Sequence, residues 1–123
     1  MTALNVRDLS KTFPVGGGLF TSARAGVRAV RPMSFEVQSG ETLGIVGESG
    51  CGKSTLARML VGLLQPSAGR IEIEDKPLDN ADAAAFGKLI QYVFQDPVSS
   101  LNPRKTIRQI MEAPLKRLYR MPR

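Results

Sequence analysis

The sequence predicts an α/β fold, and three observations carry the prediction. Several stretches alternate apolar and polar residues, as half-buried strands do. One short apolar run leads into four closely spaced glycines, Gly44, Gly47, Gly50 and Gly52, and after them the apolar period lengthens to that of a helix. Glycine weakens helices and strands alike, so the cluster needs a reason in backbone geometry or in close approach to a ligand.

The elements follow in order. "ALNVRDLSKTF" alternates and reads as a first strand, and "PVGGGLFTSARAG" is a loop of glycine and small residues. "VRAVRPMSFEV" reads as a second strand, with "QSG" a turn folding it onto "ETLGIVG". Leu43, Ile45 and Val46 form a short run of the kind covered on both faces in a sheet. From Lys53, the residues Leu56, Met59, Leu60, Leu63 and Leu64 share one helix face, and Gln65-Pro66 is expected to end that helix. "GRIEIED" alternates as a half-exposed strand, "NADAAAFGKL" is weakly helical, and "IQYVFQ" reads as another strand. "DPVSSLNPRK" is a polar loop. Thr106 and Gln109 then form a capping-box start for a helix with Ile107, Ile110, Met111, Leu115 and Leu118 on one side, which Pro114 is expected to bend or interrupt.

Composition narrows the chemistry. The 123 residues contain one cysteine, Cys51, and no histidine, which excludes an intrachain disulfide, a His/Cys zinc cluster and histidine acid–base catalysis within the chain. The net charge of +6 sits at one end: residues 104–123 hold seven bases and one acid, Glu112. Such a basic end suits nucleic acid, an anionic surface or an acidic protein neighbour, and no nucleic-acid motif accompanies it. No apolar run approaches the ~18 residues of a membrane span, and "MTALNVRDLSK" does not read as a signal peptide, so the expected location is cytoplasmic, without membrane insertion.

The glycine cluster has a specific reading. Gly47-Glu48-Ser49-Gly50-Cys51-Gly52-Lys53-Ser54 matches G-x-x-x-x-G-K-[S/T], the phosphate-binding P-loop. Such a loop wraps backbone N–H groups around phosphate oxygens, and its glycines reach the required dihedrals without a Cβ clash. Lys53 supplies a point charge for the β- and γ-phosphates and the Ser54 hydroxyl a ligand for Mg²⁺. The following helix aims its N-terminal amides at the same phosphates.

Beyond the P-loop, the chain resembles the ATP-binding subunits of ABC transporters over nearly its whole length. "GESGCGKSTLARML" is followed at the expected distance by "IQYVFQDP", which is similar to the family's Q-loop segment, and "FQDPVSSLNPRKTI" is similar to the branch serving oligopeptide, dipeptide and nickel permeases. The resemblance implies a P-loop NTPase core of the ABC ATPase type, with an antiparallel β segment before it and the start of a helical subdomain after it. It implies ATP and Mg²⁺ as cofactors, bound by Phe13, Gly47, Glu48, Ser49, Gly50, Cys51, Gly52, Lys53, Ser54, Thr55 and Gln95. Ser54 and Gln95 would serve the metal. Phe13, in "LSKTF", is the counterpart of the aromatic that stacks on adenine, with Phe20 as the backup. The implied partners are transmembrane permease subunits and a second ATP-binding subunit, at the inner face of the cell membrane, with no nucleic acid.

Part of the family's pattern is missing. No "LSGGQ"-type signature, no apolar strand ending in Asp-Glu and no switch histidine follow the Q-loop segment. "RIEIED" is disqualified as that strand by the interleaved Glu72 and Glu74 and by its place before the Q-loop. The chain is therefore expected to be the N-terminal part of an ATP-binding domain, residues 1–123, a truncated ATPase with no catalytic residue of its own that binds ATP without turning it over. A small stand-alone P-loop kinase or GTPase is the alternative, and the lack of an aspartate on a second strand and of an N-K-x-D base reader argues against it. A binding module acting through the basic end is a third reading, which the salt dependence of nucleic-acid binding would test.

Overall fold

The computed structural model describes residues 1–14, 26–78 and 83–120. The chain forms two compact units, Met1–Asn80 and Ala81–Arg123.

The first unit is built on an antiparallel sheet. β1 (Thr2–Pro14) and β2 (Gly26–Gln38) pair along most of their length, and β3 (Ala68–Ile73) and β4 (Lys76–Pro77) extend the sheet in the order β2-β1-β3-β4. The alternation of β3 buries Ile71 and Ile73, while in β1 Val6 and Leu9, three residues apart, are both buried because the strand is irregular between them, where Asp8 takes φ +47. Arg7 and Glu36 form an ion pair across β1 and β2 at 3.0 Å. β4 was not foreseen. Glu74 and Asp75, both with positive φ, make the two-residue turn whose twist suits a tight hairpin, and Ile73 then pairs with Lys76.

α1 (Lys53–Leu60) lies against β2, burying Leu56 and Met59 beside Val30. Each of those helix side chains contributes about 1.5–3 kcal/mol by leaving water. The helix stops earlier than Gln65-Pro66. Gly62 takes φ +77, its N–H donates to the Met59 carbonyl at 3.1 Å, and the Leu63 N–H donates to the Arg58 carbonyl at 2.9 Å. This pair of hydrogen bonds around a left-handed glycine closes the helix about one turn short of the expected Leu64, and Leu63 ends up 61% exposed.

The largest departure concerns residues 41–47. The turn is present, with the Glu41 N–H donating to the Gln38 carbonyl at 3.0 Å, but the segment after it is not a strand. Leu43, Ile45 and Val46 are exposed, Val46 almost fully at 95%. A strand is defined by a neighbour that takes its backbone groups, and among the described residues no strand pairs with this segment.

In the second unit, α2 (Ala83–Leu89) and α3 (Ile107–Tyr119) pack together, with Phe86 buried and Lys88 Nζ 5.2 Å from the Tyr119 ring centroid. The capping box forms as read: the Gln109 N–H donates to Thr106 Oγ1 and the Thr106 N–H donates to Gln109 Oε1. Pro114 lies inside α3 without interrupting it. It removes one rung, to the Ile110 carbonyl, and no α3 residue is buried, so that carbonyl stays within reach of water. Residues 90–95 also differ from expectation. They form no strand; Tyr92 and Phe94 stack edge-on at 4.6 Å while Val93 is 84% exposed.

Candidate functional site

The P-loop lies between the exposed run at 43–46 and α1. Its turns are made by Gly50 and Gly52, with φ of +81 and +96, a region that L side chains rarely adopt. Gly52 is constrained a second time. Residues 28–30 of β2 contain a bulge, since Lys11 pairs with Val30 and Thr12 with Arg28, leaving Ala29 as the extra residue. A Cβ at Gly52 would collide with the Ala29 carbonyl oxygen, so β2 and the loop meet backbone to backbone.

Inside the loop, the Cys51 N–H donates to the Glu48 carbonyl at 3.2 Å. Lys53 Nζ donates to the Gly47 carbonyl and, at 2.9 Å, to the Glu48 carbonyl, with Cys51 Sγ 3.7 Å away. The ammonium is thus folded back over its own loop. Glu48, Ser49 and Cys51 are exposed, and Glu48 takes part through its carbonyl. Gly52 caps α1 without any side-chain hydrogen bond, so the first-turn amides of Lys53, Ser54 and Thr55 have no capping side chain to accept from them. Leu56 makes the first bond of the helix, to the Gly52 carbonyl at 2.9 Å.

Uncapped amides, the positive end of α1 and one lysine ammonium fit an anion with several oxygens. A groove of about 500 Å³ lies between residues 28–33 of β2 and residues 50–53 of the loop. Arg28 and Arg31 line it, which the sequence left as ordinary strand residues. Their nearness to the loop depends on the register of β1 with β2 and the bulge at Ala29, which are not local signals. Ser54 is exposed one residue into α1, and its hydroxyl is a hard donor of the type Mg²⁺ takes.

Two further candidates belong to other segments of the chain. Phe13 pairs with Val27 near the end of β1 and is 38% exposed; it does not line the groove, but Arg28, the neighbour of Val27, does. Phe20 lies outside the described residues. Gln95 belongs to the second unit, where it is exposed at the close of residues 90–95. The described residues contain no cluster of acids, cysteines or histidines able to hold a metal by itself, and no helix long and apolar enough to cross a membrane.

A loop of P-loop sequence joins an apolar run to a helix beside an antiparallel sheet, the arrangement of an α/β P-loop protein. The family model for ABC transporters matches residues 30–121, and the chain belongs to that family. It is 49% identical over 115 residues to the putrescine export system ATP-binding protein SapF of Escherichia coli K12, covering 94% of this chain and 42% of that protein. The oligopeptide transport ATP-binding protein AppF of Bacillus subtilis is 47% identical, over 92% of this chain and 36% of its own length. The nickel import ATP-binding protein NikE of an Escherichia coli O6:K15:H31 strain is 46% identical, over 96% and 44%. Among solved structures, the dimeric ATP-binding cassette MJ0796 bound to ADP and Pi superposes with a TM-score of 0.79 at 26% identity, over 98% of this chain and 50% of that one. The fold is that of an ABC ATPase cassette, and the chain spans less than half the length of these curated relatives.

Proposed function

We propose that this chain binds Mg·ATP through residues 47–55 as the N-terminal part of an ABC transporter ATP-binding domain. The observation that carries the reading is the uncapped start of α1 beneath a loop whose lysine is folded back on the Gly47 and Glu48 carbonyls and Cys51 Sγ, with no acid among its partners. The loop amides and Lys53 would bind the phosphates. Ser54, with Gln95, would supply oxygen ligands to Mg²⁺, and Phe13 would receive the base. Glu48, Ser49 and Cys51 would act through their backbone.

When bound, Mg²⁺ neutralises phosphate charge and favours attack at the terminal phosphorus. Within these 123 residues no acid pair follows an apolar strand to position an attacking water.

The intact subunit would pair with a second ATP-binding subunit and dock on membrane-embedded permease subunits at the cytoplasmic face. SapF of strain K12 is named for putrescine export, AppF for oligopeptide transport and NikE for nickel import. The segment "FQDPVSSLNPRKTI" favours uptake of peptides or nickel as the transport that is energised.

Titration with a fluorescent ATP analogue tests the site. Lys53→Ala should weaken binding about 10- to 100-fold, the usual worth of a hydrogen-bonded charge. Equal affinity in both forms would remove the P-loop assignment.

A further inference from the structure

The end of β1 is fastened to the chain that leaves α1. The Ser67 N–H donates to the Ser10 carbonyl at 2.9 Å, and the Thr12 N–H donates to Ser67 Oγ at 3.0 Å. Between these two, Lys11 Nζ donates to the Gln65 carbonyl at 2.8 Å. The same ammonium lies 5.2 Å from the centroid of the Phe13 ring. Lys11 and Phe13 are two residues apart on one strand and so share a face of the sheet.

We propose that Lys11 is a positioning residue for the nucleotide base: anchored on the Gln65 carbonyl, its ammonium covers one face of Phe13 and presents the other face to a purine. The inference rests on the reading of Phe13 as the base platform. Two physical effects support it. A cation against the π face holds the ring in one orientation, so less side-chain freedom remains to be lost when a base stacks. It also draws electron density through the ring, which improves stacking with an electron-rich purine on the far side. Gln65 lies just beyond the Gly62 turn that ends α1, so one short path links the helix whose N-terminus faces the phosphates to the residue that faces the base.

The test compares ATP with inorganic tripolyphosphate by calorimetry at one ionic strength, using the whole purified protein. Lys11→Met should weaken ATP about three- to fivefold, the usual worth of an exposed cation–π contact, and leave tripolyphosphate unchanged. Lys11→Arg should restore ATP affinity. Lys11→Gln keeps a donor for the Gln65 carbonyl without the charge, and should behave as Lys11→Met does. In a Phe13→Leu background, Lys11→Met should have no further effect. Unchanged ATP affinity in Lys11→Met, or equal weakening of ATP and tripolyphosphate, would overturn the proposal; the second result would make Lys11 a phosphate contact. If Phe13→Leu alone leaves ATP affinity intact, the base-platform reading fails, and the proposal fails with it. The P-loop assignment is judged separately by Lys53→Ala.

Discussion

Residues 70–73 and residues 43–46 lie in the same unit, and both are rich in strand-forming side chains. The first run sits between β1 and β4, where Leu4 pairs with Ile73 and Val6 with Ile71, and both isoleucines are buried. The second has no strand paired with it among the described residues, and Ile45, which lines the groove beside β2, keeps 45% of its surface exposed. Both runs carry β-branched residues, and the apolar run at 43–46 is the richer in apolar side chains; what it lacks is a strand to accept its backbone hydrogen bonds. Apolar content makes a segment eligible for a sheet, and a partner makes it a strand.

The strongest way to break this comparison is by truncating one isoleucine from each run in the 123-residue chain. Ile71→Ala should cost about 2–5 kcal/mol in urea unfolding, as core truncations do. Ile45→Ala should stay below ~1 kcal/mol, as exposed substitutions do. Equal losses would mean that residues 43–46 are buried in solution.

Amide exchange sharpens the same contrast without mutation. Backbone amides of β1 and β3 should exchange about 100-fold more slowly than those of residues 43–46 and 90–95, because ladder bonds must open first. Matching protection would place both apolar runs in a sheet.

α3 extends the comparison to a helix with no buried residue, packed on α2 and started by its own capping box. Thr106→Ala removes half of the capping box and should lower helicity of α3 with a cost of about 1 kcal/mol, read by thermal unfolding monitored by circular dichroism. No loss would show that tertiary contacts, and not the cap, hold this end.

The smallest effect is in acid. Glu112 accepts from Lys116 and Arg108, each at 2.6 Å, and these bonds, that of Lys116 foremost, hold its carboxyl below the ordinary value of 4.5. A carboxyl with the lower pKa in the folded form stabilises fully above its unfolded value, and the contribution is lost as pH falls through the folded one. A slight drop in α3 helicity below pH 4.5 is expected, and Glu112→Gln should flatten it. A rise in helicity on acidification of the unmutated chain would contradict the sign.

The P-loop motif, the capping box at Thr106 and the strand character of β1, β2 and β3 were legible because each signal lies within a few neighbouring residues. A phosphate loop is eight consecutive positions, a cap spans four, and helix hydrogen bonds reach only one turn back. Even the early end of α1 is local, since Gly62 is a left-handed stop four residues before Pro66. Tertiary structure alone decided three things: the bulge that brings the Ala29 carbonyl against Gly52, the register that lines the groove with Arg28 and Arg31, and the exposure of residues 43–46 and 90–95. Each depends on pairing with a segment distant along the chain, and a strand's own residues do not say which partner lies beside it.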